Sequence, residues 1–146
     1  MISQASIEIE APIEEVFRAS TEEIPQWSSI VIVDEVIQET PEGVGTTFRT
    51  VTEERGRRME FAGTVTASDP PRRHAAVLKG KQFDIDVECT FEKLSHGTRV
   101  TQRSIVQGKG LMRVFLFLCG WLMNKSGCKA TEQELLGLKA WCERSQ

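Results

Sequence analysis

Tyrosine is absent from the chain, and only two histidines, His74 and His96, are present. The two do not form a metal-spaced pair, no serine sits in a nucleophile elbow and no glycine loop is built for phosphate, so the common catalytic motifs are missing. The four cysteines, Cys89, Cys119, Cys128 and Cys142, have no CxxC spacing, which argues against a zinc site or a redox pair. Met1 leads directly into a strand pattern without a signal peptide, so the thiols are expected reduced in a cytoplasm. Clustered basic charge is lacking too. The formal net charge is −3 with mixed signs, which excludes a nucleic-acid footprint. Arg55, Arg57 and Arg58 form one short basic run and Arg72 and Arg73 another, but both sit beside turn residues and read as solvated loop charges. Nothing implies a metal or another cofactor.

The apolar stretch Leu111 to Met123 is too short to span a bilayer and contains Arg113. It reads as the start of a buried core helix, with attachment to a membrane surface as the minor alternative. The helix continues to Trp141: Phe117, Trp121, Asn124, Cys128, Thr131, Leu135, Leu138 and Cys142 alternate at steps of four and three, one face of a long helix. Its second half carries Lys125, Lys129, Glu132, Glu134, Lys139, Glu143 and Arg144 off that stripe. The expectation is a helix that enters deeply buried and leaves half exposed.

Everything before this helix reads as strands and short helices in one domain, residues 1–146, large enough to bury about two-thirds of its unfolded surface. Ser3 to Glu10 alternates as a strand. Pro12, Glu14 and Glu15 open a short helix with Ile13, Val16 and Phe17 on its apolar side, and Glu22 to Trp27 forms a second. Ile30 to Glu39 is a strand whose run Ile30–Val33 suggests burial on both faces. Turns at Pro41–Gly45, Arg55–Arg57, Asp69–Arg72, Gly80–Lys81 and Ser95–Gly97 then separate five more strands. The clearest, Gln82 to Leu94, sets Phe83, Ile85, Val87, Cys89 and Phe91 against Asp84, Asp86, Glu88, Thr90 and Glu92. One face is interior and the other is wet.

A strand, two short helices, six antiparallel strands and a long C-terminal helix is an α+β order, a curved seven-stranded sheet around one helix. It resembles the helix-grip fold of the SRPBCC superfamily, the START and birch-allergen group, from end to end. Within it, the polyketide cyclase/dehydrase-like branch is the nearest likeness. The resemblance rests on Ile7–Phe17, Gln26–Trp27–Ser28, Gly43–Val44–Gly45, Asp69–Arg73, Gly97–Thr101 and Leu135–Lys139, in that order. These are scaffold motifs. The resemblance implies a cavity between sheet and long helix that holds an apolar or amphipathic small molecule, in proteins of diverse activity.

If Phe91 and its alternates face inward, the cavity is lined by Phe83, Ile85, Val87 and Cys89, with Phe48, Met59 and Phe61 from the middle strands and Phe117 and Trp121 from the helix. On the last strand, Val100 inward brings Gln102 and Ser104 inside; the opposite phase brings Thr101 and Arg103. His74 is the weak catalytic candidate, able to move a proton near neutrality if it points inward. His96, in a Ser-His-Gly turn, reads as solvated, and Arg49 with Glu60 as a cross-strand surface pair. The leading expectation is a binder of a lipid, quinone or polyketide-like molecule. A cyclase or dehydratase on a similar ligand, and a module that meets a membrane or partner protein, are the alternatives.

Overall fold

The computed structural model of the chain describes residues 2–144, the side chains of residues 119–126 excepted. The elements run β1 (Ile2–Ile9), α1 (Ile13–Glu22), α2 (Ile24–Trp27), β2 (Val31–Gln38), β3 (Thr47–Glu54), β4 (Arg57–Asp69), β5 (Arg73–Lys79), β6 (Phe83–Lys93), β7 (Thr98–Gly108) and α3 (Leu111–Glu143). The strands form one antiparallel sheet in the order β1-β7-β6-β5-β4-β3-β2. This is the α+β helix-grip architecture that the sequence suggested. Because β1 and β2 lie at opposite edges, α1 and α2 carry the chain from one edge to the other.

Amphipathic spacing builds the seam that closes this arrangement. Ile13, Val16 and Ala19 of α1 turn inward, and Glu14 and Glu15 sit in its first turn, where carboxylates complement the helix dipole. They meet Ile9, Val100 and Phe91 from the sheet and Leu135, Leu138 and Cys142 from α3 in one buried cluster. The buried Thr98 hydroxyl donates to the Ala11 carbonyl at 2.9 Å. Glu134 accepts from the Ser28 hydroxyl and, at 3.0 Å, from the Ser29 backbone N–H, which ties α3 to the turn between α2 and β2.

Two expectations need correction. The Ile30–Val33 run is not buried on both faces: β2 is an edge strand, Ile32 is exposed, and further along so are Val36 and Ile37. An edge strand has only one neighbour to shield it. The burial along α3 is also reversed. Thr131, Leu135, Leu138 and Cys142 are buried as the stripe requires, but the helix enters exposed, with Leu111 at 88% and Phe117 at 87% relative exposure. The strand end sets the seating of the first turns. A Cβ on Gly108 would lie 2.6 Å from the Met112 carbonyl, so the helix starts with its backbone against β7. Met112 is half buried and Leu116 is buried, one turn later. Phe117 is one residue, about 100°, out of that phase.

The seam predicts a sharp contrast between adjacent residues. Leu135→Ala is expected to destabilise the fold by about 2–5 kcal/mol through the cavity it leaves. Leu136→Ala, on the exposed side, should stay within about 0.5 kcal/mol. Denaturant unfolding of the two variants checks this.

Candidate ligand site

Strand register decides which side chains share the concave side, because directly paired residues point to the same face. Across the middle of the sheet runs an apolar row, Phe48–Gly63–Leu78–Ile85–Val106. The next row is Val65–Ala76–Val87–Ser104–Ser3, and the one after it His74–Cys89–Gln102–Ala5. Phe91–Val100–Ile7 then enters the buried cluster, which identifies this face as the inner one. Phe48 lies flat on the floor: a Cβ on Gly63 would sit 2.3 Å from its ring, so only glycine admits the ring there.

Of the residues singled out in the sequence, Phe48, Met59, Phe61, Phe83, Ile85, Val87, Cys89, Gln102 and Ser104 share this inner face. Phe61 and Ser104 are buried; the others are half buried. Phe117 does not join them, for the reason given above, and Trp121 lies outside the described side chains. With Val100 inward, Arg103 falls on the outer face opposite Glu88. There, with Thr66, Asp86 and Ile105, it lines a separate groove of about 240 Å³.

A larger cavity of about 520 Å³ opens at the end of the sheet where the β5–β6 turn lies. The β4 strand pairs with β3 from Arg57 onward, but β5 begins to pair with it only at Ala62. The projecting end of β4 therefore leaves a gap beside the turn. Met59, Phe61 and Phe83 form its apolar wall, and Arg49, Arg57, Arg58, Glu60 and Lys81 also line it. Arg49 pairs with Glu60 through its Nε and with Glu35 at 3.1 Å, so the expected surface pair is present.

The titratable groups of the inner face are few. His74 packs edge-on against Phe17, with ring centroids 6.1 Å apart, and burial lowers its pKa below the usual 6.5. Across the ladder, burial and then the Glu88 charge push the Cys89 thiol up to about 12, so it stays protonated and is no nucleophile. Its Sγ donates to Gln102 Oε1 at 3.8 Å. Asp34 is a group that the sequence reading missed. It accepts from the Thr50 hydroxyl at 3.1 Å, and burial raises its pKa. The signal was a carboxylate directly after Ile30–Val33 at the inward phase of the strand, next to the outward Glu35. Asp34 and Thr50 share a row with Phe61, level with Gly80, whereas His74 sits six residues before Gly80. At about 3.3 Å per residue the two are on the order of 20 Å apart, too far to act as an acid/base pair. His96 is exposed, with Nε2 3.0 Å from Glu8 Oε1. Among the described residues no three His, Cys, Asp or Glu side chains gather as a metal-ligand set, and no helix is long and apolar enough to cross a membrane.

A curved antiparallel sheet gripping a long helix above an apolar floor defines a helix-grip protein. More narrowly, the chain belongs to the family described as polyketide cyclase/dehydrase and lipid transport, whose profile matches residues 2–131. A protein from Thermus thermophilus is similar in fold, at 21% identity and TM-score 0.81, over 100% of this chain and 99% of that one. A START superfamily protein from Mycobacterium smegmatis, at 16% identity, also has TM-score 0.81 over 99% of both chains. The di-domain ARO/CYC BexL from the BE-7585A biosynthetic pathway matches at 12% identity and TM-score 0.72, over 100% of this chain and 50% of its own. No curated protein matches by sequence.

The His74 environment gives a pH prediction. A base whose pKa is depressed on folding stabilises the fold above its unfolded value, and that contribution is lost as pH falls from about 6.5 through the folded value. His74→Gln is expected to flatten the loss of stability between about pH 7.5 and 5.5, measured by denaturant unfolding at each pH.

Proposed function

We propose that the chain is a single-domain cytoplasmic carrier or receptor for a hydrophobic or amphipathic small molecule, such as a lipid, a quinone or a polyketide-like compound, held between the inner face of the sheet and α3. One observation carries this reading. The floor residues Phe48, Leu78, Ile85 and Val87 remain half exposed, because α3 packs mainly on β1 and to a lesser extent on β7, α1 and α2. A floor of large apolar side chains that the described residues leave half exposed suits an apolar guest. At about 25 cal/mol per Å², covering roughly 300 Å² of apolar surface contributes about 7 kcal/mol before the costs of association. Gln102 and Ser104 orient any carbonyl or hydroxyl on the guest. The family description, which includes lipid transport, supports the same reading.

Native mass spectrometry of the purified protein, followed by denaturing extraction, tests it. The expected result is an extra mass recovered as a small apolar compound. Ile85→Glu, which sets a carboxylate in the apolar row, should reduce that occupancy about tenfold or more. A clean apo mass that persists after incubation with a lipid extract would overturn the proposal.

Inward orientation of a neutral His74 favours a second reading, a cyclase or dehydratase in which this imidazole takes a proton from the bound ligand. Turnover abolished in His74→Ala with ligand binding retained is its signature. Exposure of the α3 entrance favours a third. Leu111, Val114, Phe115 and Leu118 recur at i, i+3, i+4 and i+7 and are all exposed. With Arg113 beside them, they form an apolar stripe suited to an anionic bilayer surface. In a vesicle flotation assay, Phe115→Glu with Leu118→Glu should release protein that otherwise floats with phosphatidylglycerol vesicles.

A further inference from the structure

The charge around the 520 Å³ cavity is opposite in sign to that of the whole chain. Four cations line it, Arg49, Arg57, Arg58 and Lys81, against one acid, Glu60, in a chain of net charge −3. Glu60 is already engaged by Arg49, which holds Glu35 as well. Arg58 has only a 3.7 Å pairing with Glu53. Among the described residues, Arg57 and Lys81 make no ion pair within 4.0 Å, although Glu60 feels the Lys81 charge. The bland reading of this basic run is loop charge dissolved in water. Position separates these residues from that reading: Arg55, in the same hairpin, stays off the cavity, while Arg57, Arg58 and Lys81 stand beside Met59, Phe61 and Phe83.

We propose that the ligand is an amphiphile with an acidic head group, a carboxylate or phosphate, bound at this opening by Arg57 and Lys81, its chain running inward over Met59, Phe61 and Phe83. This rests on the carrier reading above and names the chemistry of its ligand. Opposing sides of one gap supply the two cations without ion pairs. Arg57 comes from the projecting end of β4 and Lys81 from the β5–β6 turn. That turn is pinned from below: the Lys109 backbone N–H donates to the Gln82 carbonyl at 2.9 Å, and its ammonium to the Gly80 carbonyl at 2.8 Å. A guanidinium grips a carboxylate or phosphate with two parallel hydrogen bonds, whereas the lysine adds a point charge from the far side. The volume falls in the range of small-molecule sites. Apolar wall and basic rim lie within one cavity, so head and chain are recognised together.

Displacement of a bound apolar dye by dodecanoate, dodecyl phosphate and 1-dodecanol tests the proposal, with inorganic phosphate alone as a control. The three share one chain length and differ at the head. The acids are expected to bind about tenfold or more tighter than the alcohol. That advantage should fall to about twofold in Arg57→Gln/Lys81→Gln and shrink as salt is raised. Both side chains are exposed, so the double variant keeps the fold, and its thermal midpoint verifies this. Acids and alcohol binding equally would overturn the head-group assignment and leave the carrier reading standing. Inorganic phosphate binding as tightly as dodecyl phosphate would also overturn it, by reducing the rim to a bare anion site. If no dye and none of the three amphiphiles bound, both readings would fall.

Discussion

The seam between β1 and the second half of α3 is the contact on which the rest of the molecule depends. Ile9, Val16, Val100, Leu135 and Leu138 are almost completely buried there, and they come from four separate elements. Close packing at such a junction fixes the angle at which the helix leaves the sheet, because an interior of that density does not yield by degrees. The long helix is thus held at its far end. Its first turns rest on the end of β7, and among the described residues the floor formed by β4, β5 and β6 stays half exposed.

This division of labour places stability and binding in different parts of one fold. Residues that meet at the seam are mostly aliphatic, buried and chosen for shape. Those on the open floor are also apolar but half exposed, and they include Met59 and the rings of Phe48 and Phe83, which adapt to a guest without demanding fixed hydrogen bonds. Polar groups of the inner face lie on either side of the apolar row through Phe48 and Ile85: the His74–Cys89–Gln102 row with Ser104 and Ser3 toward the seam, and Asp34 with Thr50 toward the basic rim at the opposite end. The Phe48–Gly63–Leu78–Ile85–Val106 row is the apolar middle between them.

Much of the architecture was legible because strand alternation and helix spacing are local signals. Phe83 to Phe91 alternate so cleanly that one phase fixes the whole strand, and the register with β7 then carries Val100, Gln102 and Ser104 to the same side. The α3 entrance misled because periodicity reports that a face is apolar, not that anything stands opposite it. Phe117 continues a stripe that packs well at Leu135, but the close approach of Gly108 to Met112 seats the first turns on a different side. Ile32 fails for a related reason: a run of aliphatic residues does not announce that its strand will be an edge. Asp34, and the opening between β4 and the β5–β6 turn, depend on how far one strand outruns its neighbour. That is a property of pairing and not of any single segment.

The pairing of β1 with β7 bears on how the molecule is made. Ile2 lies opposite Ile105, about a hundred residues away in the chain, and each later pair across that ladder closes a shorter loop. The remaining strands are joined as successive hairpins from β2 to β7 and need only their nearest neighbours. A growing polypeptide can therefore assemble the meander as it emerges, while its first strand stays without a partner until β7 has been synthesised. Closure of the ring of contacts is left to the slowest, most non-local step, and the apolar side of β1 is what a chaperone would meet in the meantime.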